Sequence, residues 1–198
     1  MRSRLKEQFL LFRIRAQKDP NAFGEIYDEY VKRIYRFIYF KVPSAEQAED
    51  LTSEAFLKAW HYLKEKKEVS NLQALLYSVA RTVVIDYYRA TANERGNVTL
   101  DEGAANMADA ASDRLLREVE TKFDTTLVLE KLRNLKDEYR EVVIMKFLDE
   151  MTTHEIAAVL GKSASNVRVI LHRATKALEG AIGHAQERNQ GNFEESHE

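Results

Sequence analysis

Residues 152–178 read TTHEIAAVLGKSASNVRVILHRATKAL, and the fold is decided by this stretch. Thr152-Thr153-His154-Glu155 matches a capping box, in which a hydroxyl and a carboxylate three residues apart satisfy orphan backbone donors at a helix start. Ile156, Ala157 and Leu160 then share one face at helical spacing. Gly161 supplies the stop, because glycine enters the left-handed conformation without steric cost. Ser163 can cap a second helix that starts within two residues. At ~100° per residue, Val167, Ile170, Leu171, Ala174 and Leu178 gather within roughly a 100° arc. Ser165, Arg168, Val169, His172 and Lys176 gather on the opposite side, with Arg173 beside them. Helix, tight Gly-containing turn, helix is the helix-turn-helix plan.

An aliphatic face opposite a face of donors is the division a helix needs in a major groove: one side packs on its partner helix, the other meets base edges and phosphates. Arg168 is the candidate for a base contact, and Arg173 and Lys176 for phosphates. Ser163 and Ser165, at the helix N-terminus, can bind a phosphate through hydroxyl and backbone N–H. Asn166 and His172 complete the donor face. A solvated amphipathic helix carries the same pattern, so the motif alone leaves both readings open.

The rest of the chain agrees with helices. Only seven Gly and two Pro occur in 198 residues, about 4.5% against roughly 12% in average usage. An all-β domain would need turn chemistry every ~8–12 residues. Neither GxGxxG nor GxxxxGK[ST] occurs, which excludes a Gly-rich phosphate loop. Asp19-Pro20 is a helix start, with Asp as N-cap and Pro at the first helical position. Phe23, Ile26, Tyr27, Tyr30, Val31, Ile34, Tyr35, Ile38 and Tyr39 recur at helical spacing until Pro43. Ser44-Ala45-Glu46-Gln47 matches a second capping box, opening a helix to about Leu63. A charged loop over 64–71 precedes a helix from about Leu72 to Ala90. Residues 91–111, with Gly96, Gly103 and acids, read as a flexible tether. Helical spacing returns from Ser112 (Leu115, Val119, Phe123, Leu127), and a polar tail from 181 reads as disordered. The fold class is therefore all-α, in two small helical domains over 1–90 and 112–180.

The net charge of −2 argues against a nucleic-acid binder only as an average. Residues 1–90 hold 16 Lys/Arg and 12 Asp/Glu, residues 91–130 hold 4 and 9, residues 131–180 hold 9 and 7, and residues 181–198 hold 1 and 4. Two mildly basic blocks thus alternate with acidic ones, which bears on partners and not on fold. With no Cys, disulfides and thiolate metal sites are excluded. None of the five His forms HxxxH or HExxH, so no metal and no cofactor is expected, and no enzyme signature stands out. No apolar run approaches ~18 residues and Met1 to Lys6 offers no signal-peptide core, so a cytoplasmic protein without membrane insertion is expected.

Two further helices carry candidate surfaces. On the helix after Ser44, Ala48, Leu51, Ala55, Ala59 and Tyr62 share an inward side, while Asp50, Glu54, Leu57 and His61 lie opposite, with Phe56 and Trp60 on the flank. An outward Leu amid acids suits a protein partner; a solvated acidic face with an incidental Leu is the alternative. The helix after Asn71 is apolar on both sides: Leu72, Leu76, Val79, Val83 and Tyr87 one way, Tyr77, Arg81, Val84, Ile85 and Tyr88 the other, with Arg89 beside them. Aromatic rings interleaved with Arg make a stacking platform for single-stranded nucleic acid, and equally a core.

Taken together the chain resembles the bacterial sigma-70 class, specifically the small extracytoplasmic-function (group IV) RNA polymerase sigma factors. Tyr30 to Ile38 looks like the first helix of their region 2, Ala48 to Trp60 like their core-polymerase-binding helix, and Leu76 to Arg89 like their promoter-melting helix. Tyr139 to Val143, and Glu155 to Ala174, resemble region 4. Departures are Leu75 where the family usually has Trp, Thr82 where it often has Asn, and Lys136 where Pro commonly starts a helix.

The resemblance implies a sigma factor that binds core RNA polymerase and directs promoter-specific initiation. Asp50, Glu54, Phe56, Leu57 and Trp60 would meet the β′ clamp helices, and Val143, Phe147 and Leu148 the β flap. Lys66, Lys67, Asn71, Tyr77, Arg81, Tyr88 and Arg89 would read promoter DNA at the −10 element, with the 64–71 loop as base pocket. Ser163, Ser165, Asn166, Arg168, His172, Arg173 and Lys176 would read the −35 element. An anti-sigma factor is a common partner in that family. The alternatives are a helix-turn-helix repressor or activator that acts without replacing a sigma factor, and a protein-interaction module with no DNA role.

Overall fold

The computed structural model describes residues 2–65, 68–95 and 126–194, and among these all regular structure is helical. The N-terminal unit comprises α1 (Arg2–Gln17), α2 (Pro20–Tyr39), α3 (Ala45–Glu65) and α4 (Leu72–Arg95). The C-terminal unit comprises α5 (Thr126–Arg133), α6 (Asp137–Val143), a π-helical turn (Ile144–Leu148), α7 (Thr153–Leu160) and α8 (Ala164–Glu194).

Local chemistry sets the helix starts. The Asp19 side chain accepts from the Asn21 N–H at 2.9 Å, and Pro20 occupies the first helical position. Asn71 caps α4 by accepting from the Ala74 N–H at 2.9 Å. At α7 the capping box is complete: the Glu155 N–H donates to Thr152 Oγ1, and the Thr152 N–H donates to Glu155 Oε2 at 2.7 Å. Gly161 ends α7 with φ 62° and ψ 31°, the left-handed geometry its position demands. Thr152→Ala removes one half of the box and should cost ~1 kcal/mol, read as a lower urea midpoint at unchanged m-value.

α2 buries Ala22, Ile26, Tyr30, Ile34, Phe37 and Ile38, and α3 buries Ala48, Leu51, Ala55, Ala59 and Leu63 against it and against α4. α1 closes the unit with Leu10, Leu11 and Ile14. In the C-terminal unit α6, α7 and α8 meet through Val142, Ile144, Met145, Ile156, Val159, Val167, Ile170 and Ala174. The two units are in contact: α7 lies on α4, and their buried side chains form one cluster.

Several expectations are corrected. α8 runs on to Glu194, where a disordered tail was expected from 181; an established helix extends without a new nucleation cost, and no Pro falls in 181–194 to stop it. α4 runs to Arg95, five residues into the expected tether. Tyr62 was expected inward, but it is 39% exposed and Leu63 takes the buried place. The helical return from Ser112 lies outside the described residues up to 125.

Candidate nucleic-acid and protein interfaces

The C-terminal donor face is free. Val167, Ile170 and Ala174 turn into the core, which leaves Ser163, Ser165, Asn166, Arg168, His172, Arg173 and Lys176 all exposed on one side of α8. The Ser163 hydroxyl accepts from the Asn166 N–H at 3.2 Å and lies 3.1 Å from the Ser165 hydroxyl, so the first turn is capped by the side chains placed to meet a phosphate. Among the described residues no carboxylate is paired with Arg168, Arg173 or Lys176, so their donors remain available to an incoming anion. This is the surface that the helix-turn-helix pattern predicts.

The α3 face is also free in part. Asp50, Glu54 and Leu57 are exposed, Leu57 at 57%. Glu54 pairs with Lys58 at 2.8 Å, an i,i+4 bridge that costs the face little of its acidity. Phe56 and Trp60, expected on this surface, belong to an aromatic cluster instead. Phe56 is buried, with its ring 4.7 Å from Tyr27 and 6.3 Å from Phe23, and Phe23 lies 5.1 Å from a half-buried Trp60. The cluster fixes α3 on α2 beside Leu57; buried Phe56 is covered there, while Trp60 keeps part of its surface exposed. Of the residues expected to form a second protein-binding groove, Val143 is buried, Leu148 is half-buried and Phe147 is 49% exposed.

The α4 surface is covered. Tyr77 is fully buried, its ring edge-on to Phe37 at 5.2 Å, and its hydroxyl donates to Asp149 Oδ2 at 2.6 Å. Burial and the neighbouring carboxylate push its pKa far above the usual phenol value. Tyr88 is buried too, donating to the Lys41 carbonyl at 2.6 Å, and burial raises its pKa to about 12. Both rings serve the core in this arrangement. The reason is that α4 is sandwiched, between α2 and α3 on one side and α7 on the other. Arg81 reaches across to Glu141, donating from Nε at 2.9 Å. Arg89 is exposed, and Asn71 is the α4 cap. Lys66 and Lys67 lie outside the described residues.

The groove beside the 68–73 loop holds about 470 Å³ and is lined by Glu7, Tyr30, Arg33, Ser70 and Asn71, with Glu155 of α7 on its rim. Tyr30 donates to Glu7 at 2.9 Å across it.

Residues that sequence reading missed lie between the two units. Lys41 is 4% exposed and donates to Asp137 Oδ1 at 2.5 Å and Glu141 Oε1 at 2.8 Å. Arg36 pairs with Asp149 and donates to the Leu148 carbonyl at 3.1 Å. Arg140, also buried, donates to the carbonyls of Phe40 and Leu135 at 2.9 and 2.8 Å. Burial raises the Asp149 pKa, against the opposing pull of Arg36 and the Tyr77 hydroxyl. No single-sequence signal marks the pairs that cross between the units, because each joins residues about a hundred positions apart.

Comparison with known proteins agrees with this division. A family model of Sigma-70 region 2 matches residues 26–94, and one of Sigma-70, region 4 matches residues 125–178. The chain is 30% identical over 155 residues to the ECF RNA polymerase sigma factor SigM of Bacillus subtilis, covering 78% of this chain and 91% of SigM. It is 28% identical over 166 residues to SigW of the same organism, covering 81% and 88%. It is 30% identical over 161 residues to BldN of Streptomyces coelicolor, covering 81% of this chain and 60% of that longer protein. Among solved structures, the sigma factor RpoE of Bartonella quintana, in complex with the anti-sigma factor NepR, shares the fold at TM-score 0.64 and 19% identity, over 81% of this chain and 96% of that one. CnrH in complex with the cytosolic domain of CnrY does so at TM-score 0.63 and 21% identity, over 91% and 97%. Both halves of the chain, in the order and spacing its motifs announced, thus place it in the sigma-70 family, among the extracytoplasmic-function RNA polymerase sigma factors.

Proposed function

We infer that this chain binds core RNA polymerase and directs it to promoters, as its family does. The observation that carries the reading is the exposed donor face of α8, seated on a buried helix-turn-helix core and joined in one chain to an acidic face with a bare Leu57. Arg168 reads a base edge of the −35 duplex, while Arg173, Lys176, Ser163 and Ser165 hold phosphates. Asp50, Glu54 and Leu57 engage the polymerase clamp. The N-terminal unit opens and reads the −10 element, with Arg81 and Arg89 toward the strand. The chain beyond Arg95 tethers it to region 4. The work is done by binding energy, without catalysis, cofactor or metal. The setting is the cytoplasm, where polymerase works; no described helix is long and apolar enough to cross a membrane. An anti-sigma factor is a further partner, as NepR is in the complex of the similar RpoE.

The deciding experiment is run-off transcription with purified core polymerase over a genomic library. Promoter-specific initiation that depends on this chain is the expected result, and its absence sinks the reading. Direct duplex binding at the same sites without polymerase would favour an ordinary helix-turn-helix regulator. Within that assay Arg168→Ala should weaken −35-dependent initiation by ~1–3 kcal/mol and relax preference at one base pair. An unchanged −35 preference would remove Arg168 from the reading face.

A further inference from the structure

The contact between the two units is built from charge in equal numbers. Arg36, Lys41 and Arg81 come from the N-terminal unit, and Asp137, Glu141 and Asp149 from the C-terminal unit. Among the described residues every ion pair of these three cations crosses between the units; none has a carboxylate partner in its own. Lys41 Nζ and Arg81 Nε converge on the same oxygen, Glu141 Oε1, at 2.8 and 2.9 Å. Arg36 and the Tyr77 hydroxyl meet at the Asp149 carboxylate, Arg36 donating to Oδ1 and Tyr77 to Oδ2. Two donors closing on one carboxylate, twice along one surface, is also an arrangement that binds successive phosphates. Arg36 Nε is buried without an acceptor among the described residues, so the carboxylates do not use this donor set fully.

The backbone that delivers Asp149 is unusual. The chain leaves α6 through the π-helical turn, with the Asp149 N–H donating to the Ile144 carbonyl at 3.1 Å, and Glu150 follows at φ 56°. A π-turn and a left-handed non-glycine residue side by side cost backbone energy, and such features persist where they aim a functional group.

We propose that Arg36, Lys41 and Arg81 form a phosphate-binding track for single-stranded promoter DNA, and that Asp137, Glu141 and Asp149 occupy it in the isolated chain as a stand-in for that strand. Strand binding and contact between the units are then mutually exclusive. Separation of the units strands three clustered cations, and a polyanion is the partner that restores their neutrality. The −35 face on α8 and the Leu57 face on α3 stay exposed in the closed form, so polymerase can meet the chain before it opens. This deepens the reading of the chain as a sigma factor, and it assigns Arg36 and Lys41, beside Arg81, to the strand.

The test uses the full chain without polymerase, so its outcome is independent of the run-off result. A fluorescein-labelled 12-nucleotide single strand of mixed sequence is titrated by anisotropy at low salt, and unit separation is followed by energy transfer between dyes. The chain has no native Cys, so labels go on at Ser53→Cys and Glu179→Cys. Glu141→Gln with Asp149→Asn should separate the labels and tighten strand binding at least tenfold, with a steeper fall in affinity as salt rises. Adding Lys41→Ala and Arg81→Ala should abolish the gain. Asp137→Asn, whose side chain is half exposed, is the milder variant if the double substitution loses helicity; it should tighten binding severalfold. The proposal is overturned if separation brings no tighter binding, if the gain survives loss of Lys41 and Arg81, or if poly-glutamate of equal charge binds as tightly as the oligonucleotide, which would give the track to a protein partner.

Discussion

Asp149→Ala should lower the stability of the closed chain by about 3–5 kcal/mol, measured by urea unfolding at neutral pH. The Asp149 side chain is wholly buried, between Arg36 and the Tyr77 hydroxyl. The pair itself is a weak source of stability, since burying two charges costs about what their attraction returns; removing one partner is another matter. Alanine leaves a mostly buried guanidinium and a buried phenol without their acceptor. The protein has one escape, which is to separate its units and return Arg36 to water. The loss is then capped at the free energy of the contact, and the single unfolding transition splits in two. Asp149→Asn keeps an acceptor and should cost far less.

The pH dependence of that same group carries a sign. Burial raises the Asp149 pKa above that of the unfolded chain. As pH falls from neutral, the closed state takes up its proton before the unfolded state does. This group's stability penalty, present above its folded pKa, is therefore relieved as pH falls and is gone below the unfolded value. The relief should vanish in Asp149→Asn, so the two proteins' stabilities, compared between neutral and mildly acidic pH, should move apart as the pH drops, with only the native chain gaining. Parallel curves would show that the carboxyl titrates normally.

Leu57→Asp should weaken binding to core polymerase by about 2–4 kcal/mol while leaving the melting temperature within a degree or two. Leu57 is the one large aliphatic side chain exposed on α3, amid Asp50 and Glu54, and its backbone is held by the buried Phe56 on one side and Ala59 on the other. An anchor of that kind at the centre of an interface loses its desolvated packing when it is charged, while repulsion of the added carboxylate by exposed Glu54, one turn away, costs only a few tenths of a kcal/mol. Competition against another sigma factor for limiting core enzyme gives the affinity. Undiminished competition would move the polymerase contact elsewhere on the unit.

Helix-turn-helix geometry was legible because it is local. Thr152 and Glu155, Gly161, and the 3.6-residue rhythm from Val167 to Leu178 each act within one or two turns, and the chain does there what short-range sterics and capping dictate. The exposed donor face followed, since a helix that buries Val167, Ile170 and Ala174 must expose Arg168 and Lys176. The α4 surface was not legible. Its sequence is apolar on both sides, which fits a core helix and a stacking platform alike, and what chose between them is the C-terminal unit packing over it. Phe56 shows the same limit on a smaller scale: a flank residue by rotation, it is buried because Phe23 and Tyr27 of α2 reach over it.

By itself, then, the sequence determined an all-α chain in two units, their family, and the exposed faces of α3 and α8, all of which rest on residues a few positions apart. Tertiary structure alone decided the charge contact between the units, and with it the burial of Tyr77 and the engagement of Arg81. Those pairings join Lys41 to Glu141, 100 positions apart, and Tyr77 to Asp149, 72 positions apart. No local rule relates residues that far apart, because their meeting depends on how two complete helical units come to rest on each other.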